Sequence, residues 1–243
     1  MHKSSYLRME WFVQNYLKNI IAPTAVLDVG SYDVNGSYKT LFDEQRFRYT
    51  GLDISAGPNV DIVLKKIYHW KEIESNSFDV VISGQALEHI EFFWVTVAEM
   101  TRALREGGCI CIIAPRGAGL HRYPIDCYRF DADGMLALAR YCNLIPLHVS
   151  TNSAPENAPG IWFDDVEDSM LVARKPQGWK GLVNVDEYVF HEADLETLAT
   201  GFTHRARRPI TKIYNLLDRV SRTFKTGGIS AVLDAAIGRL KTF

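Results

Sequence analysis

The sequence predicts an α/β protein built on a mostly parallel sheet with helices on both faces. Three observations predict it. Short apolar runs of strand type alternate with helical patterns from residue 25 to residue 115. One run, "SFDVVISG" (77–84), is continuously apolar, as a strand covered on both faces should be. The first run, "AVLDVG" (25–30), passes directly into a glycine turn, and sheets of this kind admit ligands beyond the C-terminal ends of their strands.

Taken in order, Met9, Phe12, Val13, Tyr16, Leu17 and Ile20 recur at helical spacing and predict an amphipathic helix over 5–20, ended by Pro23. Strand one is 25–29. The turn Gly30–Gly36 leads to a short helix at Tyr38–Phe42. "RYTGLD" (48–53), "NVDIVL" (59–64) and 77–84 read as strands two to four. "HIEFFWVTVAEMTRALREGG" reads as a helix with Phe93, Val97, Met100 and Leu104 on its apolar stripe, stopped by Gly107–Gly108. "CICIIAP" (109–115) is strand five, with Cys109 and Cys111 sharing one face as small hydrophobes. "DADGMLALARYC" is a helix, and "LIPLHVS" (144–150) and "DSMLVARK" (168–175) are two further strands. From about 178 the pattern becomes mixed polar helix.

The bulk numbers set limits. The chain has 243 residues, 47% hydrophobic and 23% charged, with a net charge of −2, so it gives no reason to expect a nucleic-acid partner. It has no apolar run of membrane-spanning length, and its N-terminus lacks a signal-type apolar core. None of its four cysteines forms a C-x-x-C pair and no Cys/His set has zinc spacing, so no metal is expected, and a reducing cytoplasm is the simplest compartment. Charge is uneven: residues 202–243 carry nine Lys and Arg against two Asp, net +7, which leaves −9 on residues 1–201.

Asp28 interrupts the first strand. A buried, unpaired carboxylate is costly, so Asp28 is either capped by backbone N–H groups of the turn or faces a ligand. Asp53 ends strand two, 23 residues after Gly30, where a carboxylate can accept hydrogen bonds from both hydroxyls of a ribose. A nucleoside-bearing cofactor is therefore implied. The turn "GSYDVNG" lacks the G-x-G-x-x-G dinucleotide fingerprint and places Asp33 where an anion would repel a pyrophosphate. Asp28 and Asp33 favour a cofactor that carries positive charge, as S-adenosylmethionine does.

The ordered set "VLDVGSYDVNGSY", "YTGLDISAGPNVDIVL", "FDVVISGQALEHI" and "LREGGCICIIAP" resembles the class I methyltransferases that use S-adenosylmethionine, in particular the type 11 subgroup with a Leu-Glu-His helix start after strand four. The resemblance covers about residues 20–175. It implies a Rossmann-like seven-stranded sheet with strand seven antiparallel, and a methyltransferase domain over 1–177 followed by a helical basic extension over 178–243. It places Asp28 and Gly30 at the methionine part of the cofactor, Ser31 and Tyr32 among the cofactor-binding residues, Asp53 at the ribose and Ile54 against adenine. Gly84 and Gln85 would line the cleft near the methyl group. The chain departs from the family after strand three, where Lys65 and Lys66 stand in place of an acidic residue, so backbone around Ile67 and Tyr68 is left to meet the adenine amino group. "HRYPIDCYRF" further resembles members associated with bacterial polysaccharide and O-antigen clusters.

A hydroxyl acceptor needs a base. The candidates beyond the strand ends are His89, His121 and Asp126. Loop 116–130 adds Arg122, Tyr123, Tyr128 and Arg129, a mixture of hydrogen-bonding groups and aromatic faces suited to a sugar or glycan acceptor. Each has a structural reading beside it: His89 as a helix-start packing residue, His121 as a solvated loop residue, Asp126–Arg129 as an ion pair that holds the loop. The expected activity is methyl transfer to oxygen of a cell-surface polysaccharide or glycan, lipid-linked acceptors included. The alternatives are a non-catalytic binding or scaffold subunit of the same fold, and an N- or O-methyltransferase of small metabolites. Apolar stripes through Ile210–Phe224 and Ile229–Leu240, bordered by basic residues, suit either the inner face of an anionic membrane or docking on the acidic body or a second copy in a homodimer.

Overall fold

The computed structural model describes residues 2–20, 23–42, 45–151 and 167–188. The extension helices expected within 210–240 lie outside them. Helix α1 (Lys3–Tyr16) precedes strand β1 (Thr24–Val29), a 3-10 turn at Lys39–Leu41, β2 (Phe47–Asp53), β3 (Ile62–Val63) and β4 (Phe78–Gly84). A second 3-10 turn (Leu87–His89) leads to α2 (Phe93–Ala103), β5 (Leu104–Pro115), α3 (Ala132–Tyr141), β6 (Ile145–Thr151) and β7 (Asp168–Arg174).

The strands form one seven-stranded sheet in the order β3-β2-β1-β4-β5-β7-β6. β1 to β5 pair in parallel, and β7 runs antiparallel between β5 and β6. Strand order reverses between β1 and β4, so the crevice at their C-terminal ends is the place where a ligand fits. Because side chains alternate along a strand, Val26, Val80, Ile82, Cys111, Ile113, Met170 and Val172 share one face. That face packs on Met9, Phe12 and Val13 of α1, with the partly buried Cys109 against it. Leu27, Val81, Ile110, Ile112 and Leu171 point to the opposite face and are also fully buried.

Several boundaries differ from expectation. α1 ends at Tyr16 rather than running to residue 20. The third strand shrinks to two residues because Asp61 turns its carboxylate onto the Gly51 N–H at 2.8 Å, and Asn59 adopts a left-handed φ of 66°. α2 stops at Ala103, before the two glycines. Its exposed carbonyls are taken instead by the buried Lys175 ammonium, which donates to Thr101 O (2.9 Å) and Leu104 O (2.7 Å) as well as to Asn76 Oδ1. Arg105–Gly108 then bulge opposite Asp79, with Gly107 at φ +82°. Residues 178–188 are turns rather than helix. Gly178 and Gly181 have positive φ, and the segment follows the end of α3 through bonds from Trp179 Nε1 to Cys142 O and from Val183 N to Tyr141 O. No helix among the described residues is long and apolar enough to cross a membrane.

Candidate active site

The C-terminal ends of β1, β2 and β4 open into a cavity of about 940 Å³. Its first wall follows from the sequence of β1 and the turn behind it. Gly30 takes φ +80°, and a Cβ there would lie 2.5 Å from the Ala86 Cβ, so only glycine lets the turn pass this close to the β4 end. Ser31 is buried and donates to Asn59 O at 3.0 Å.

Asp28 is not capped by the turn. The Tyr49 hydroxyl from β2 donates to its Oδ2, and Asn59 Nδ2 in turn donates to that hydroxyl at 2.9 Å. Asp28 is 3% exposed. Burial pushes its carboxyl up to about 7; the Tyr49 bond opposes the shift and the nearby Asp53 charge adds to it. Asp53 is fixed by three backbone donors: Ile54 N (2.7 Å) and Ser55 N (3.2 Å) to Oδ1, and Tyr32 N (3.1 Å) to Oδ2. Two carboxylates thus line one cavity beside a glycine floor. A buried acid that ionises with difficulty favours a ligand bringing positive charge and disfavours a diphosphate.

The other expected cofactor residues also line this cavity: Gly30, Ser31, Tyr32, Ile54, Ile67, Gly84 and Gln85. Ile54 is 49% exposed, an apolar face available to a ring. The Ile67 carbonyl is engaged by Trp70 Nε1 at 2.8 Å. Gln85, at φ 57°, sends its amide to Asp168 Oδ1 at 2.8 Å, a buried acid that Ser4 of α1 also meets. Gln85 therefore ties the helix at the cleft edge to the end of β4.

The opposite wall comes from the second 3-10 turn and the loop after β5. The backbone joins them: Cys127 N donates to Glu88 O at 2.7 Å, and Tyr128 Oη donates to Glu91 O at 2.8 Å. His89, His121, Arg122 and Tyr123 reach the cavity. Asp126, Tyr128 and Arg129 do not line it, a correction to the catalytic and substrate-binding roles expected for them. The Asp126 side chain is 1% exposed and accepts from Arg129 Nη1 (2.5 Å), Arg129 Nη2 (2.8 Å) and His121 N (2.7 Å). Arg129 holds Asp126 well below the usual carboxylate range. A carboxylate so saturated is a weak base, and it serves to fold the loop. Tyr128 is spent on Glu91 and on the edge of Phe93.

His89 pairs Nδ1 with Ile125 O at 2.6 Å, and His121 pairs Nδ1 with Gly119 O at 2.8 Å. A carbonyl can only accept, so each Nδ1 is the donor, and in the neutral ring the lone pair is on Nε2. The rings stand edge to face with centroids 5.0 Å apart. Burial lowers the His89 pKa, which keeps that ring neutral near pH 7. Glu88 was not anticipated. It is fully buried, lines the cavity, and neither carboxylate oxygen has a hydrogen-bond partner on another residue. Burial raises its pKa to about 8. Against the expectation of no metal, the fold brings together one ligand atom each from Glu88, His89 and His121 within 4.8 Å of one another.

Residues 27–112 match the family model described as "Methyltransferase domain". Over that stretch, about a third of its length, the chain is similar to methyltransferase domains. In structure the chain is similar to Burkholderia thailandensis 1,6-didemethyltoxoflavin-N1-methyltransferase, solved with S-adenosylhomocysteine (TM-score 0.53, 20% identity, 72% of this chain and 80% of that one). It is similar to the cyclase SpnF (TM-score 0.52, 17% identity, 70% and 80%). It is also similar to Haemonchus contortus phosphoethanolamine N-methyltransferase 2 in complex with S-adenosyl-L-methionine (TM-score 0.51, 16% identity, 70% and 53%), of whose length it spans about half. Among curated proteins none matches the chain. At these identities the structural likeness shows the fold, and the acceptor has to be argued from this chain's own residues.

The residues present fit the cofactor. Asp53 stands where ribose hydroxyls can donate to it, Asp28 can face the ammonium of the methionine part, and Gly30 admits close backbone approach.

Proposed function

We propose that this methyltransferase methylates a hydroxyl of a polyhydroxylated acceptor, a sugar or glycan. One observation carries the reading: His89 and His121, each with Nδ1 on a backbone carbonyl, line the same cavity as Asp28 and Asp53, together with the exposed Tyr123 and Arg122. When bound, S-adenosylmethionine supplies an electrophilic methyl group. The chain contributes alignment and desolvation, which are the main needs of an in-line displacement, and an electron-rich pole at which a hydroxyl can lose its proton. Tyr123 is 62% exposed, an open aromatic face for the apolar side of a sugar ring, and the Arg122 guanidinium can donate to ring hydroxyls.

The test is transfer of isotope-labelled methyl from S-adenosylmethionine to a panel of oligosaccharides, phenols and amines, with the product position read by NMR. The expected product is a sugar methyl ether, lost in His121→Ala. Label found on nitrogen, or on phenols in preference to sugars, would contradict the acceptor assignment. The same reading takes the basic stretch 202–243 as the means of reaching lipid-linked acceptors.

A further inference from the structure

We propose that Glu88, His89 and His121 bind a divalent metal ion of the manganese or zinc type at the acceptor end of the cleft. The inference rests on the acceptor reading above, which it deepens by replacing bare imidazole basicity with a Lewis acid.

Three independent features point there. First, each histidine gives its Nδ1 proton to a backbone carbonyl, Ile125 O for His89 and Gly119 O for His121, which orients Nε2 as a free donor. Metal-bound histidines are held in this way. Second, the Glu88 carboxylate is fully buried with no hydrogen-bond partner on another residue, and it lines the cavity that both rings face. A buried carboxyl without a partner is held back from ionising, and a cation that displaces its proton supplies the missing partner. Third, the set is compact. Glu88 Oε1 lies 3.7 Å from His89 Nε2, and the three ligand atoms lie within 4.8 Å of one another. Three ligand atoms placed tetrahedrally at about 2.1 Å from one ion are about 3.4 Å apart. The widest pair therefore has to close by up to roughly 1.4 Å, by rotation of the side chains, His121 being on an exposed loop.

Asp126 gains a role as a positioning residue. It accepts the His121 N–H at 2.7 Å and stands 3.7 Å from His121 Nδ1, so it fixes the loop that carries the third ligand. Two imidazoles and one carboxylate leave coordination positions open, which suits a catalytic ion rather than a structural one. An acceptor hydroxyl at an open position has its pKa lowered and releases its proton to solvent. The oxygen lone pair forms the new O–CH3 bond as the C–S bond of the donor breaks, its electron pair staying on sulfur. The sum is alcohol plus S-adenosylmethionine giving methyl ether, S-adenosylhomocysteine and one proton.

The experiment uses the full chain freed of metal by chelation. Titrations with Mn2+ and Zn2+ are followed by calorimetry, and Mn2+ also by its EPR signal. S-adenosylhomocysteine is titrated separately. The expected result is one bound ion per chain, with affinity falling at least about tenfold in both Glu88→Gln and His121→Ala, while S-adenosylhomocysteine affinity is unchanged. His121 is on an exposed loop, so its variant covers the case in which Glu88→Gln fails to fold. Absence of stoichiometric binding in the wild type, or equal binding by wild type and His121→Ala, overturns the site whether or not the nucleoside binds. Metal binding by a chain that ignores S-adenosylhomocysteine supports the site and refutes the functional reading instead.

Discussion

Binding of S-adenosylhomocysteine is expected to expel a proton from Asp28. The residue is 3% exposed, and burial, outweighing the Tyr49 hydrogen bond, pushes its carboxyl up to about 7. At pH 6 such a group is about nine-tenths protonated. An ammonium placed against it lowers its pKa by ~1–3 units. A two-unit drop leaves about one-tenth protonated, so about 0.8 proton leaves per nucleoside bound at pH 6, and only about 0.1 at pH 8. Calorimetry in buffers of different ionisation enthalpy reads this number directly. Asp28→Asn removes the titrating group and is expected to abolish that release. Equal proton release by wild type and Asp28→Asn at pH 6 would refute the placement of the cofactor's cationic group at Asp28. The same shift has a stability consequence. The folded state holds this proton more tightly than the unfolded chain, whose carboxyl titrates near 3.8, so stability is greatest below that value and falls as pH rises through about 7. The loss is on the order of 4 kcal/mol, and Asp28→Asn should flatten the decline in Tm between pH 5 and 8.

Three further outcomes are expected. Asp53→Ala should weaken S-adenosylhomocysteine by ~1–3 kcal/mol, or about 5–150-fold in Kd by calorimetry, through lost charge-assisted bonds. Lys175→Met leaves the Thr101 and Leu104 carbonyls without their ammonium donor. It should cost about 2–5 kcal/mol in urea denaturation while leaving nucleoside affinity intact, because Lys175 does not line the cleft. Full-length chain should float with anionic liposomes more than a chain ending at residue 201, and equal flotation would end the idea that the basic stretch meets a membrane.

What the sequence made legible is local. The alternation of Val26, Leu27 and Val29 around Asp28, the glycine behind it, and Asp53 at the end of the next strand are short-range patterns, and they place one wall of the cleft. The other wall depends on contacts between distant segments. His121 reaches His89 only because Cys127 N and Tyr128 N both find the Glu88 carbonyl, and no spacing rule links those positions. Glu88 reads in sequence as an ordinary polar residue at a helix start, and only its complete burial sets it apart. The end of α2 falls short of the glycines, and the group that donates to its last carbonyls, Lys175, is 71 residues from Leu104 in the chain. Asp126 and Arg129 are three residues apart and look alike as a catalytic pair or as a loop staple. Burial of the Asp126 carboxylate under three donors decides for the staple.

The claim on which the rest depends is that the crevice between Asp28 and Asp53 holds S-adenosylmethionine. Side-by-side calorimetric titration with S-adenosylmethionine, S-adenosylhomocysteine and NAD tests it most directly. The account predicts stoichiometric binding of the two sulfur nucleosides, the demethylated product included, and none of NAD. Binding of NAD in their place, or no binding of any nucleoside, would contradict it.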